Sequence, residues 1–364
     1  MRVTRRSLVS LLVALALTMS SALALAFGQY QRIDAISIPG APLKSFDISW
    51  VDEPSQTYFL ADRSNAGVDI INSETHAFVG RIVGFVGFTG TNAHSGPDGI
   101  EVDHGTHQAW VGDGDSTVRV VDLAPDFHSG TVVDTISTGG TARADELAIA
   151  HSAHVLMVAN PDDDVPFLTF ISTQSHAVLG KIFFPQALDG LEQPVWDQET
   201  HRFLQAVPET PTNPGGEVDA IDPEAMVVTN VFPLTDCHPH GMILGPHQHL
   251  LVGCSVPSHT LVINARDGSA VADIVGFGGS DEVWFNPGDN HYYLAARGAA
   301  AGPKLGVVDA DTNTLIDAPT TGSNAHSVAA DRKNNHIFVP IAAPDPSCPR
   351  GCVAVYANTG GGAP

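Results

Sequence analysis

The chain is short of positive charge. Its 364 residues hold 17 Lys and Arg against 40 Asp and Glu, a formal net charge of −23. So acidic a protein repels polyanions, which argues against nucleic acid and anionic lipid as partners. Cysteine is scarce as well: Cys237, Cys254, Cys348 and Cys352 show no CxxC or CxxCH spacing, so neither a zinc ribbon nor covalently attached haem is expected. There is no GxSxG elbow for a serine nucleophile, no HExxH, no P-loop and no dinucleotide fingerprint. Beyond the first 26 residues, no apolar run reaches the length of a membrane span.

Those 26 residues carry Arg2, Arg5 and Arg6, then an apolar run from Leu8, then small residues ending Ala24-Leu25-Ala26. The pattern is that of a signal peptide over 1–26, with one mature domain over 27–364. Thr4-Arg5-Arg6-Ser7-Leu8-Val9 also resembles a twin-arginine signal. Loss of the three arginines takes the net charge to −26. The expected location is periplasmic or secreted, where four cysteines form two disulfides.

What the chain has in plenty is glycine (35), proline (25) and short β-branched runs, a composition that reads as all-β. One unit recurs seven times: a polar residue opening an apolar strand, a turn, a second apolar strand, a loop and two more strands. The first runs from Phe46-Asp47-Ile48-Ser49-Trp50 through Thr57-Tyr58-Phe59-Leu60-Ala61 and Val68-Asp69-Ile70-Ile71 to Phe78-Val79-Gly80-Arg81-Ile82. Later units open at Asp98, Glu146, Gln193, His240, Glu282 and His326, at intervals of 51, 48, 47, 47, 42 and 44 residues. Four strands at this period specify a blade, and seven blades a ring: a seven-bladed β-propeller. The last unit stops after its third strand, and an orphan strand, Gln31 to Ile38, precedes the first. That N-terminal strand is expected to close the last blade and leave no open edge.

Segments such as Tyr58-Phe59-Leu60-Ala61-Asp62, followed by Gly67-Val68-Asp69-Ile70-Ile71-Asn72, resemble the YVTN repeat of the YncE-like periplasmic propellers. The resemblance covers the mature chain and implies architecture more than chemistry, because lactonase-like propellers, lyases and proteins of no assigned activity share the repeat.

In a propeller the innermost strands line a central channel. The seven openings, Asp47, Asp98, Glu146, Gln193, His240, Glu282 and His326, are therefore expected at one level of it. Starts of inner strands are wet and commonly polar, yet no Ser, Thr, Asn or Lys occurs among these seven. Converging carboxylates repel one another, and a bound cation removes that penalty. His240, Glu282 and His326 form a two-histidine, one-carboxylate set on consecutive blades, suited to Fe, Cu or Zn; calcium or magnesium would need an all-oxygen shell. Asp47 joins the metal set, as do His238 and His94, which stand just before ring positions. Asp98 and Glu146 are the candidates for a general base. Arg63 and Arg297, at the ends of second strands, are candidates to hold a substrate carboxylate. His107, His154, His201, His249, His291 and His336 fall at the opposite face and carry no such expectation.

Strand order pairs the cysteines. Cys237 precedes the first strand of blade 5 and Cys254 ends its antiparallel neighbour, while Cys348 and Cys352 share one loop of blade 7. The functional expectation is an exported, metal-dependent enzyme acting on a small molecule at the channel mouth, either hydrolytic and lactonase-like or oxygen-activating. The alternative is a non-catalytic binding or scaffold propeller. A third reading, a virginiamycin-lyase-like propeller with a histidine base and magnesium, would require an ion site without histidine.

Overall fold

A computed structural model describes residues 28–360; the expected signal peptide lies outside them. Seven four-stranded antiparallel sheets follow one another along the chain, and the innermost strands of successive blades pack side by side around the ring. The all-β, seven-bladed architecture is the one that the repeats imply.

Each strand's burial follows from its place in a blade. Second strands are covered on both faces by neighbouring blades, so they are continuous apolar runs such as Thr57–Asp62 and Val155–Asn160, buried at every position. Outer strands meet solvent on one face, and Gly130–Ser137 alternates accordingly. The apolar core lies between blades: Phe59 and Val68 of blade 1 pack with Ile100 and Val111 of blade 2.

The turns explain several of the histidines. His107, His154 and His201 occupy the turn between first and second strands with φ of 58°, 55° and 52°, where blades 1, 6 and 7 place Gln56, Asn290 and Asn335. Histidine, with Asn and Asp, tolerates this left-handed conformation better than most residues. These imidazoles serve backbone geometry at the face away from the channel mouth.

Ring closure is made by the N-terminal strand. Tyr30–Ile36 pairs antiparallel with Cys352–Asn358 as the outer strand of blade 7, from Tyr30↔Asn358 to Ile36↔Val353. The backbone N–H of Tyr30 also donates to Asp317 of blade 6 at 2.8 Å. Across the seam with blade 1, Asp34, His76 and His336 form a hydrogen-bonded chain with steps of 2.9 and 2.9 Å. Deleting the chain up to Ile38 would expose the Cys352–Asn358 edge. The melting temperature is expected to fall by roughly 10 °C or more; an unchanged thermal scan would show that the clasp is dispensable.

Glu101 sits buried in the inner strand of blade 2 and accepts the N–H of Ile149 at 3.0 Å. Burial pushes its carboxyl up to about 8 despite that hydrogen bond. An acid raised in the folded state stabilises the fold while protonated, and this contribution is lost as pH climbs from its ordinary value of 4.5 through about 8. Glu101→Gln should therefore raise the melting temperature at about pH 9 and leave it unchanged at about pH 4. Calorimetry at the two pH values checks this, and equal effects at both would contradict it.

Candidate metal centre at the channel mouth

The strand register identifies which side chains share a level. Inner strands begin pairing at Ser49↔Leu60, Ile100↔Val111, Leu147↔Val158, Pro194↔Gln205 and Val283↔Leu294, while blade 5 opens at Pro239↔Cys254 and, after a register shift, resumes at Met242↔Val252. Two residues before Ser49, Ile100, Leu147, Pro194, Met242 and Val283 stand Asp47, Asp98, Asp145, Glu192, His240 and Asp281; in blade 7, where pairing begins at Ala329↔Phe338, the matching residue is His326, five before the turn residue Asp331. The backbone agrees: the N–H groups of Asp47, Asp98, Asp145, Glu192 and Asp281 each donate to the second strand of their own blade.

The alignment read from the sequence is thus one residue late in blades 3, 4 and 6. There it took Glu146, Gln193 and Glu282 in place of Asp145, Glu192 and Asp281. The cause is a run of two polar residues at each of these strand starts, between which an apolar pattern cannot choose. A signal was present five residues on, where the turn residues Asp52, Asp103, Asp197, Asn286 and Asp331 count back to the true level. Corrected, all seven positions are Asp, Glu or His.

Six of these side chains, all but Asp98, enclose a polar cavity of about 180 Å³ at the mouth, which Arg63, Arg143 and Arg297 also line. Its two sides differ in how their charge is met. On blades 1 to 3, Asp47, Asp98 and Asp145 approach one another closely enough to share an ion, but guanidinium groups already stand among them. Arg63, 3% exposed, bonds Asp47 and Asp98, with Nε 2.7 Å from Asp98 Oδ1. Arg143 bonds Asp145 and Asp162, each at 2.7 Å. Although burial opposes it, the Arg63 charge holds the Asp47 carboxyl well below the usual range, helped by His326 and Arg143.

Blades 4 to 6 present Glu192, His240 and Asp281, whose ligand atoms all lie within 4.8 Å of one another. His240 Nδ1 is 3.1 Å from Asp281 Oδ1 and 3.5 Å from Glu192 Oε2. Against the effect of burial, Glu192 and then Asp281 push the imidazole up to about 9. Burial raises Glu192 to about 7. Asp281 is held down to about 2 despite burial, by the His240 hydrogen bond and the Arg297 charge. In the metal-free protein a proton on His240 supplies the positive charge that an ion would supply.

His326 belongs to the other side. Its Nε2 is 3.5 Å from Asp47 Oδ1, its Nδ1 donates to the Asn324 carbonyl at 2.8 Å, and its ring stacks on Phe46. His240, Glu282 and His326 therefore line one cavity, while the atoms gathered at the His240 ring are those of Glu192 and Asp281. Asp98 is bonded to Arg63 and stands outside the cavity lining; His238 and the exposed His94 are also outside it. Arg297 is the open arginine: its side chain is 44% exposed and bonds Asp281 at 2.7 Å. Arg63, named beside it in the sequence reading, is committed to the two aspartates.

Below this level Glu146 and Glu282 line the same cavity floor, and burial pushes both carboxyls well above the usual range. Deeper still the channel turns apolar, with Ile48, Ile100, Leu147 and Val328 around an edge-to-face Trp50–Trp284 pair 5.2 Å apart. The two cysteine pairs are disulfides, Cys237–Cys254 and Cys348–Cys352. The first closes beside the Pro239↔Cys254 pairing and braces the segment that carries His240.

No family model matches the chain, and no curated protein matches it either. Among solved structures, a chain of one described as "Crystal Structure of Mitotic Checkpoint Complex" superposes with a TM-score of 0.65 at 12% identity, covering 98% of both chains. At that identity the likeness speaks to the seven-bladed fold alone.

Arg63→Ala would leave Asp47 and Asp98 buried without their cation. The cost is expected to be about 3–5 kcal/mol by denaturant unfolding. Adding Asp98→Ala should recover part of that loss, and strictly additive single effects would contradict the pairing.

Proposed function

We propose that this is an exported, metal-dependent propeller enzyme of the YVTN-repeat type, which binds one transition-metal ion at its channel mouth through Glu192, His240 and Asp281 and acts on a small anionic molecule. The gathering of one imidazole and two carboxylates within ligand distance carries the reading. A mixed N/O donor set suits Zn, Fe or Cu, and an ion there would polarise a bound carbonyl and acidify a bound water. That favours hydrolysis of a small ester or lactone over a purely structural ion.

The substrate's charge follows from Arg297. The two other rim arginines are consumed by aspartates, whereas Arg297 keeps N–H donors free beside the proposed ligands. A carboxylate on the substrate would take them in a forked contact. The apolar channel below, filled by the two tryptophans, confines access to the mouth. The two disulfides fit the oxidising compartment that this reading requires.

Metal analysis of protein purified from its exported compartment should find about one Zn, Fe or Cu per chain. His240→Ala and Asp281→Asn are each expected to weaken that ion's binding by tenfold or more. Arg297→Gln should raise KM for carboxylate-bearing esters by about tenfold while leaving metal content unchanged. Protein that takes up none of these ions and melts identically in chelator would overturn the assignment. Full metal loading without hydrolysis of any lactone or ester would leave a binding propeller.

A further inference from the structure

The carboxyl pair on the cavity floor is not explained by an ion at His240. Glu146 and Glu282 stand on blades 3 and 6, on opposite sides of the ring, and each immediately follows a residue of the ionisable level, Asp145 and Asp281. Both are more than nine-tenths buried, at 6% and 4% exposure. Both line the polar mouth and also the apolar cavity beneath it, so the pair forms the partition between the two.

Their charge is met differently from that of the other acids in the channel. Asp47, Asp98 and Asp145 have Arg63 and Arg143; Asp281 has Arg297 and His240. Among the described residues no arginine, lysine or histidine pairs with Glu146 or Glu282, and Oε2 of Glu146 is buried with no hydrogen-bond donor. The carboxylates of Glu192, Asp145 and Asp281 line the same mouth, where Arg143, His240 and Arg297 are engaged by those acids. A single shared proton neutralises only one of two such carboxyls, whereas a divalent cation neutralises both.

We infer that Glu146 and Glu282 form a second cation site, one level below the His240 site on the channel axis, selective for a hard divalent ion such as Ca²⁺ or Mn²⁺. Its protein donors are carboxylate oxygens, and hard cations favour such shells while imidazole-containing sites favour Zn or Fe. The inference adds an ion to the proposed enzyme but stands on different side chains. The two can therefore fail separately.

Metal-stripped protein, dialysed against Zn²⁺ alone, Mn²⁺ alone and both together, reads the two sites by elemental analysis. Wild type should take up about one Zn and one Mn when both are offered. E146Q/E282Q should lose Mn²⁺ uptake and keep Zn²⁺, and H240A should do the reverse. Glutamine preserves the side-chain shape and removes two buried, unpaired acids, so the double variant should melt no lower than wild type without metal. Should it fail to fold, E146Q alone is expected to weaken Mn²⁺ at least tenfold. The second site is overturned if wild type takes up no Mn²⁺, if E146Q/E282Q takes up as much as wild type, or if Mn²⁺ is lost with His240. Absence of Zn²⁺ uptake with Mn²⁺ retained would instead remove the His240 site.

Discussion

Closing seven blades into a ring draws the starts of seven strands to one level around a narrow axis. In this chain every one of those starts is ionisable: four aspartates, one glutamate and two histidines. Like charges at such range, out of water, would oppose closure of the ring unless something of opposite sign enters with them. The structure of the mouth is a set of answers to that one constraint.

The answers divide the ring in two. Blades 1 to 3 carry their own cations, Arg63 and Arg143, which reach over the aspartates from the second-strand end of blade 1 and the loop entering blade 3. That half is braced by its own ion pairs. Blades 4 to 6 carry His240, which takes a proton when nothing else is bound and whose ring nitrogen faces two carboxylates. The internal ion pairs and the His240 cluster thus sit on opposite sides of one circle. The Cys237–Cys254 bridge stiffens the side where geometry matters to an ion.

The fold was legible in the sequence because it is written seven times over. Period, strand number and the orphan strand agree, and the apolar runs of the second strands leave little freedom in register. The Cys237–Cys254 pairing followed from strand order alone. The site was legible only to within one residue. A strand start with one polar residue, as at Asp47 or Asp98, is read without error, but Asp145-Glu146, Glu192-Gln193 and Asp281-Glu282 offer two, on alternate faces of the strand. Sequence also shows charge without showing who answers it. Arg63 looks free to meet a substrate until the neighbouring blade brings Asp98 against it.

The closing strand has a mechanical consequence. Tyr30 pairs with Asn358, so the first and last described segments leave the ladder at the same end. Tension between the two termini would therefore load the backbone hydrogen bonds one after another, peeling the strand away as a zipper opens. It would not load them together in shear. The ring is stiff against forces within its plane, and its weakest direction is the one in which its own two ends are pulled apart.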